Sequence, residues 1–130
     1  STNIKFFLDY AATHQDAIIT YRASDMILVV HSDASYLSEP KAQSRAGGHF
    51  FMSADTKDPA NNDAVLNVAQ LIKAVMSSAA EAELGALYIN ARKAVPLCQL
   101  LNEMGHLQLP TPIQTDNSTA LGVVNSNIQQ

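Results

Sequence analysis

Runs of consecutive apolar residues alternate with polar segments along this chain and predict a sheet of short strands. The first strong run, residues 26–31, is apolar nearly throughout, as expected for a strand buried on both faces. A second strand is predicted over residues 45–52, where two adjacent glycines indicate a bulge or a close approach to the backbone. Residues 34–44 are predicted to be a loop, and residues 55–63, rich in turn formers, are predicted to be an exposed hairpin loop.

The segment at residues 64–76 carries two competing signals. Polar residues recur at every third position from Asn67 to Lys73, which suits one stripe of a helix. The apolar positions are largely β-branched, which favours a strand, and we interpret the segment as a long, bent strand. Residues 1–25 show no sustained periodicity, although residues 18–21 are predicted to form a short strand.

The segment after residue 76 predicts a helix with a defined start. Ser77 or Ser78 suits the N-cap position. With Ser78 as the cap, Glu81 stands at the third helical position, which is a capping-box arrangement. The alanine-rich sequence that follows predicts a helix to about Lys93, with Arg92 beside it in the last turn, where positive charge favours the end of a helix.

A second helix, a short strand and a final helix are predicted in the remainder of the chain. Pro96 fits the first turn of the second helix, which is predicted to end at Gly105. The short strand ends at Asp116, and Asn117 or Ser118 can cap the final helix. This order of elements predicts an α/β fold, with a three-stranded antiparallel meander, one added parallel strand and packed helices.

The composition is that of a globular domain. The chain has 130 residues, of which 47% are apolar and 15% are charged, and this predicts one domain with a sizeable core. The single cysteine, Cys98, excludes an internal disulfide framework and a multi-cysteine zinc site, and we interpret it as a small buried hydrophobic residue. The sequence contains no membrane-spanning run or signal peptide, so we expect an intracellular protein, cytoplasmic or nuclear, that is not secreted and has no membrane partner.

The charge distribution bears on any contact with nucleic acid. The net charge is −4, which argues against tight binding by this chain alone, because neutralised phosphates supply most of the non-specific affinity. All eight basic residues lie between Lys5 and Lys93. Any nucleic-acid complex therefore needs positive charge from elsewhere.

Three acidic residues stand where a metal site would place them. Asp33 and Asp116 end predicted strands, and Glu83 lies early in the predicted helix. The order of the fold brings these positions to one edge of the sheet, where ionised carboxylates would repel one another unless a cation balanced them. Hard divalent cations that assist chemistry at phosphates prefer such oxygen ligands. Glu81 and Glu83 are two residues apart and cannot point the same way, so we assign Glu81 to the cap and Glu83 to the site.

Simpler interpretations of the same residues stay open. An aspartate at a strand end is common as a turn or cap residue, and Asp116 could cap the helix near Asn117. Glu83 alone could be a solvated helix residue. His31 precedes Asp33 by two positions on one strand and so shares its face, which allows either a structural role or a place near the site.

Four stretches of the chain resemble, in order, the ribonuclease H region of Ty1/copia-type retrotransposon polyproteins. They are HSDASY at 31–36, SRAGGHFFM at 44–52, SSAAEAELGAL at 77–87 and QTDNSTAL at 114–121. LDYAAT at 8–13 is also similar to the segment that joins reverse transcriptase to ribonuclease H in that family. The resemblance implies a connection-like segment at 1–25 and a ribonuclease H-like domain at 26–130.

The resemblance implies a mixed sheet of the ribonuclease H type and cleavage of the RNA strand of RNA–DNA hybrids. The family uses two Mg²⁺ ions, with Mn²⁺ as a possible substitute, and its catalytic and metal-binding acids match Asp33, Glu83 and Asp116. One metal activates a water and the other stabilises the leaving oxygen. The implied partners are the hybrid, recognised by its A-form shape and 2′-hydroxyls, and the rest of a reverse transcriptase polyprotein.

The chain departs from the family pattern after the third acid. The family has a fourth acid with a nearby histidine there, whereas residues 117–130 contain no Asp, Glu or His. We therefore expect a C-terminally truncated domain without the family's final elements, one well-bound metal and weak or absent cleavage. A sheet without its edge strand exposes backbone and apolar surface, which predicts a homo-oligomer or a covering partner. The alternatives are a non-catalytic ribonuclease H-like scaffold or interaction module, and a generic α/β binding domain.

Overall fold

The computed structural model describes residues 2–54, 56 and 59–126. Three helices and four strands lie in this part of the chain. In order, they are α1 (Thr2–Thr13), β1 (Ile27–Glu39), β2 (Gln43–Ser53), β3 (Ala64–Ile72), α2 (Ala79–Glu103), β4 (Ile113–Gln114) and α3 (Ser118–Ser126).

The four strands form one mixed sheet in the order β3-β2-β1-β4. β2 pairs antiparallel with both β1 and β3, and β4 pairs parallel with β1 on its other side. The fold is therefore α/β with an antiparallel meander and one added parallel strand, as the sequence predicts. The central position of β1 explains its apolar run, since Leu28, Val29 and Val30 are almost completely buried.

The main core lies between α2 and one face of the sheet. Its buried members come from the three meander strands and from the helix: Leu28, Val30, Phe50, Met52, Val68 and Ala94. A smaller cluster formed by Ala46, Ile72 and Ala86 continues this contact toward the beginning of α2. The helix is thereby fixed across the sheet with its first turns near the middle of β1, where the predicted site residue Asp33 lies.

α2 is one continuous helix of 25 residues, so the prediction of two helices separated before Pro96 is wrong. A proline inside a helix removes one backbone donor and crowds the preceding turn. Here the core holds the helix together across it, because Ala94 before the proline and Leu97 after it both pack on the sheet. The basic residues at 92–93 consequently lie within the helix rather than in its last turn. The predicted end at Gly105, which has a φ of 93°, is confirmed.

β1 is longer than predicted, so the expected loop at 34–44 is wrong and Asp33 lies inside the strand rather than at its end. The strand continues to Glu39 and reaches β2 through a single 3₁₀ turn, Pro40–Ala42. The outer part of this hairpin is largely exposed. Because neither of its faces is buried, its sequence does not alternate between hydrophobic and polar residues. Strand pairing of Ser35 with Arg45 and a 2.9 Å ion pair between Arg45 and Glu39 hold it instead.

The predicted strand at residues 18–21 is also wrong, because this segment has no strand pairing. It is held alongside the start of β3 by hydrogen bonds to individual groups. Arg22 exchanges two 2.9 Å hydrogen bonds with the side chain of Asn62, and the Tyr21 hydroxyl donates to the Ala64 carbonyl at 2.9 Å. An isoleucine pair there remains exposed, so the β-branched residues do not mark a buried strand.

Two other predictions have mixed outcomes. The strand predicted at 64–76 is present but ends at Ile72. The predicted hairpin loop at 55–63 does connect β2 to β3, although residues 55, 57 and 58 lie outside the described residues.

α1 has no buried residue, and the side chains of Phe6 and Phe7 are 66% and 68% exposed. Among the helices that the structure describes, none has the length and apolar character needed to cross a membrane.

Candidate metal centre

Asp33, Glu83 and Asp116 come together at one edge of the sheet. One carboxylate oxygen from each residue lies within 4.8 Å of the others. Glu83 is buried, with 5% of its surface exposed, whereas the two aspartates are exposed. All three residues that the sequence singles out therefore belong to one cluster, with one buried and two accessible members.

The parallel pairing of β1 with β4 explains why the two aspartates meet. His31 is aligned with Gln114 in this pairing, and Asp33 and Asp116 each follow two residues later. Parallel neighbours in register run side by side, so Asp33 within β1 and Asp116 just past the end of β4 lie next to each other. The two aspartates therefore converge because of backbone register.

The start of α2 places Glu83 on the inner side of the helix. Ser78 is the N-cap, and its Oγ accepts a 3.1 Å hydrogen bond from the Glu81 backbone N–H. The Glu81 carboxylate accepts hydrogen bonds from the Ser77 N–H and hydroxyl, at 2.6 and 2.5 Å. The predicted cap is confirmed, but Glu81 reaches back to Ser77 rather than to Ser78. These hydrogen bonds from Ser77 lower the pKa of Glu81, because they stabilise its charged form.

Glu83 has the opposite electrostatic environment. Burial raises its pKa, and the nearby negative charges of Asp33 and Asp116 raise it further. A 3.1 Å hydrogen bond from the Ala34 N–H to Oε1 acts in the other direction without cancelling the rise. In the part of the chain that the structure describes, Arg45–Glu39 is the ion pair found, so the three clustered acids have no basic partner there.

The donor set suits a hard divalent cation. Carboxylate oxygens are the protein ligands that Mg²⁺, Mn²⁺ and Ca²⁺ prefer, and a cation would offset the repulsion among the three acids. Asp33 and Asp116 line an open cavity of about 350 Å³, which has room for hydrated ions and a phosphate group. The arrangement can therefore hold a cation where a substrate can reach it.

His31 lies in the wall of the same cavity, as its position two residues before Asp33 allows. Its ring packs edge-on against Phe51, with centroids 4.9 Å apart. Its Nε2 atom is buried and has no hydrogen-bond partner among the described residues. The contact with Phe51 gives His31 a structural role beside the acidic cluster.

One contributor to this region is not found by motif reasoning. Asn90, in the middle of α2, is completely buried and donates hydrogen bonds to Ser32 and Gly47 near Asp33. The sequence feature that could have identified Asn90 is its place in a series of alanines spaced four residues apart, which marks one face of the helix. The Gly47–Gly48 pair is the other half of that signal, and its predicted close approach is to the Asn90 side chain.

Comparison with protein-family models, curated proteins and solved structures gives no match to this chain. The functional argument therefore depends on the geometry of the cluster and on the motifs of the sequence.

Proposed function

We propose that this chain is a ribonuclease H-like domain that binds divalent cations through Asp33, Glu83 and Asp116 and hydrolyses the RNA strand of RNA–DNA hybrids. The observation that carries the proposal is the convergence of three carboxylates within 4.8 Å beside the middle of β1. The strand order β3-β2-β1-β4, with α2 crossing the sheet, is consistent with that fold. The resemblance of the four sequence motifs supplies the substrate class.

The three acids have distinct positions in this proposed site. Asp33 and Asp116 present exposed oxygens to the cavity and so can bind a cation together with its waters. Glu83 is held from behind by the Ala34 N–H, which fixes its carboxylate and leaves Oε2 beside the Thr115 hydroxyl at 3.5 Å. Bound Mg²⁺ or Mn²⁺ would supply positive charge that activates water and stabilises phosphate oxygens. The chain supplies the fixed ligands and the open side.

The charge of the chain shapes the expected activity. A net charge of −4 makes binding to a polyanionic hybrid weak and strongly dependent on salt. Neighbouring parts of a reverse transcriptase polyprotein would supply the missing positive field. Three carboxylates can bind one cation well but bind a second cation poorly. Because the proposed reaction uses two cations, we expect slow cleavage by this chain alone.

The test is cleavage of a labelled RNA strand within an RNA–DNA hybrid at low salt, in Mg²⁺ and in Mn²⁺. Double-stranded RNA and double-stranded DNA of the same sequence serve as comparison substrates. We expect RNA products from the hybrid alone, and none from the Asp33→Asn variant, which keeps the shape of the side chain without its charge. Equal cleavage by that variant would refute the assignment of the site.

A non-catalytic ribonuclease H-like module is the second candidate. It is favoured by the number of ligands, since the acidic cluster found among the described residues has three members. Mn²⁺ binding that depends on Asp33, combined with an intact hybrid after prolonged incubation, would identify this alternative. Absence of cation binding would exclude both candidates.

A further inference from the structure

The buried face of α2 is a series of small residues interrupted by one amide. Ala82, Ala86, Asn90 and Ala94 recur every four residues and are at most 5% exposed. Alanines allow a helix to approach a sheet closely. Because their side chains are identical, they do not by themselves fix the position of the helix along its axis. Asn90 is the polar member of this series, and burying an amide costs free energy unless it is hydrogen-bonded. Its Nδ2 is hydrogen-bonded, whereas its buried Oδ1 has no partner among the described residues.

Both hydrogen bonds from the Asn90 amide reach positions beside Asp33. Its Nδ2 donates to the Ser32 hydroxyl at 2.8 Å and to the Gly47 carbonyl at 2.9 Å. Ser32 directly precedes Asp33 in β1, and Gly47 is paired with Asp33 across the β1–β2 ladder. A single side chain of α2 therefore contacts β1 at the residue before one proposed metal ligand and β2 at the residue paired with that ligand.

Gly48 provides the space that this contact needs. A Cβ atom at position 48 would collide with Oδ1 of Asn90 and come within 2.9 Å of its Cγ. A side chain at position 48 and the observed Asn90 conformation therefore exclude one another. Gly48 is required here by close approach rather than by an unusual backbone angle.

We propose that Asn90 is a positioning residue that sets the register of α2 against β1 and β2 and thereby holds Glu83 next to Asp33. Asn90 follows Glu83 by seven residues, so the two side chains share a helix face about 10 Å apart along the axis. A buried asparagine is a known means of fixing register where neighbouring contacts are interchangeable. The importance of this contact for catalysis rests on the proposed nuclease function, whereas the register itself does not.

The first test needs no metal and no substrate. The Ala34 N–H donates to Oε1 of Glu83 at 3.1 Å and also to Oδ1 of Asp33 at 2.8 Å. With Asp33→Ala present in every variant compared, hydrogen exchange at Ala34 reports whether Glu83 is in place. In Asn90→Leu, which keeps the bulk but has no donor, we expect exchange at Ala34 to accelerate about tenfold beyond the change in global stability. Leu28→Ala is the control, because it weakens the main core from a position four residues before Ser32 and paired with Met52, and its Ala34 exchange should follow global stability alone. Equal behaviour of the two variants would overturn the proposal.

Gly48→Ala disrupts the same contact from the side of the sheet. It is the variant to use if Asn90→Leu does not fold. It should accelerate exchange at Ala34 in the same way, because the added Cβ displaces the amide. Adding Gly48→Ala to Asn90→Ala should then accelerate Ala34 exchange much less than Gly48→Ala does alone, because the conflict with the amide is gone and only the 3.0 Å contact with the Phe50 ring remains. Additive effects in the double variant would show that the two residues do not act together and would overturn the proposal.

Mn²⁺ affinity, measured by electron paramagnetic resonance at one pH, connects the register to the metal centre. We expect Asn90→Leu to weaken Mn²⁺ binding about tenfold and Leu28→Ala to change it by less than about twofold. A wild-type protein that binds no Mn²⁺ would refute the metal centre, while Ala34 exchange would still decide the register. Unchanged Ala34 exchange in Asn90→Leu overturns the positioning role whatever the affinity.

Discussion

Glu81 and Glu83 belong to the first turns of one helix and have opposite environments. Glu81 is exposed, and its carboxylate accepts hydrogen bonds from Ser77 that lower its pKa. Glu83 is buried between the helix and the sheet, and burial together with Asp33 and Asp116 raises its pKa. The difference arises because residues two apart on a helix point in directions about 200° apart.

This contrast separates an acid that supports the fold from an acid that belongs to a site. The outer carboxylate stabilises the start of α2 whether or not a cation is present. The inner carboxylate is unfavourable when ionised and unbalanced, and such an arrangement is typical of functional residues. The same two side chains therefore provide a matched pair of variants, with Glu81 as the internal control for Glu83.

The largest expected difference is in catalysis. Replacing Glu83 by Gln removes a charged ligand, and we expect hybrid cleavage to fall at least about a hundredfold. Replacing Glu81 by Gln leaves the cluster intact, so cleavage should stay within about threefold of the wild type. The rates of RNA-strand cleavage under identical conditions measure both effects. Similar losses in the two variants would mean that the position of α2, rather than the Glu83 carboxylate, limits activity.

Stabilisation by cations should show the next largest difference. A ligand that binds only the folded state at a concentration one hundred times its dissociation constant adds about 2.7 kcal/mol to the free energy of unfolding. We expect Mn²⁺ to raise the melting temperature of the wild type and of Glu81→Gln, but to have little effect on Glu83→Gln. Thermal unfolding with Mn²⁺ and with a chelator measures this. An equal rise in all three proteins would place the bound cation elsewhere.

Much of the site was predictable because it depends on regular geometry. Asp33 and Asp116 follow apolar runs of the sequence, and the parallel register of β1 with β4 brings them together, although Asp33 lies inside β1 rather than at its end. Glu83 could be distinguished from Glu81 because residues two apart on a helix point in different directions. The capping position accounts for Glu81, which leaves Glu83 for the site. What the sequence could not give was the electrostatic contrast, since the burial of Glu83 depends on how α2 lies on the sheet.

Apart from α1, a helix without buried residues that the sequence did not mark, the features that were missed depend on contacts distant in sequence. α2 continues through Pro96 because residues on both sides of it pack into the core. β1 continues to Glu39 because it pairs with β2, although its outer part lacks hydrophobic alternation. Asn90 gives no local signal of its partners, because Ser32 and Gly47 come near it only after the sheet has formed.

The N-cap of α2, beside Glu81, should have a smaller effect, on the free energy of unfolding. Ser78→Ala removes the acceptor of the Glu81 backbone N–H, and we expect it to lower the free energy of unfolding by about 1 kcal/mol. Ser77→Ala is the matched control, since the Ser77 N–H still reaches Glu81 after the hydroxyl is lost, and it should cost less. Urea unfolding of both variants measures the difference. A larger loss in Ser77→Ala would mean that the Glu81 contact, not the Ser78 cap, dominates the helix start.

The smallest effect, and the most specific one, is the pH dependence of stability without metal. Because the folded pKa of Glu83 is raised, its protonated form is favoured by folding. Its contribution to stability is therefore fully present below the unfolded value of about 4.3 and is lost as pH rises through the folded pKa. Glu83→Gln resembles the protonated form at every pH, so its stability relative to the wild type should increase with rising pH across this window.

Glu81 should give a dependence of opposite sign. Its folded pKa is lowered, so its contribution is present above the unfolded value and is lost as pH falls through the folded pKa. Glu81→Gln should therefore lose stability relative to the wild type as pH rises across the acidic window below about 4.3. Free energies of unfolding in urea and chelator, measured for both variants from acidic to neutral pH, give the two slopes. Slopes of the same sign would contradict the contrast, because one helix turn would then hold two acids in equivalent surroundings.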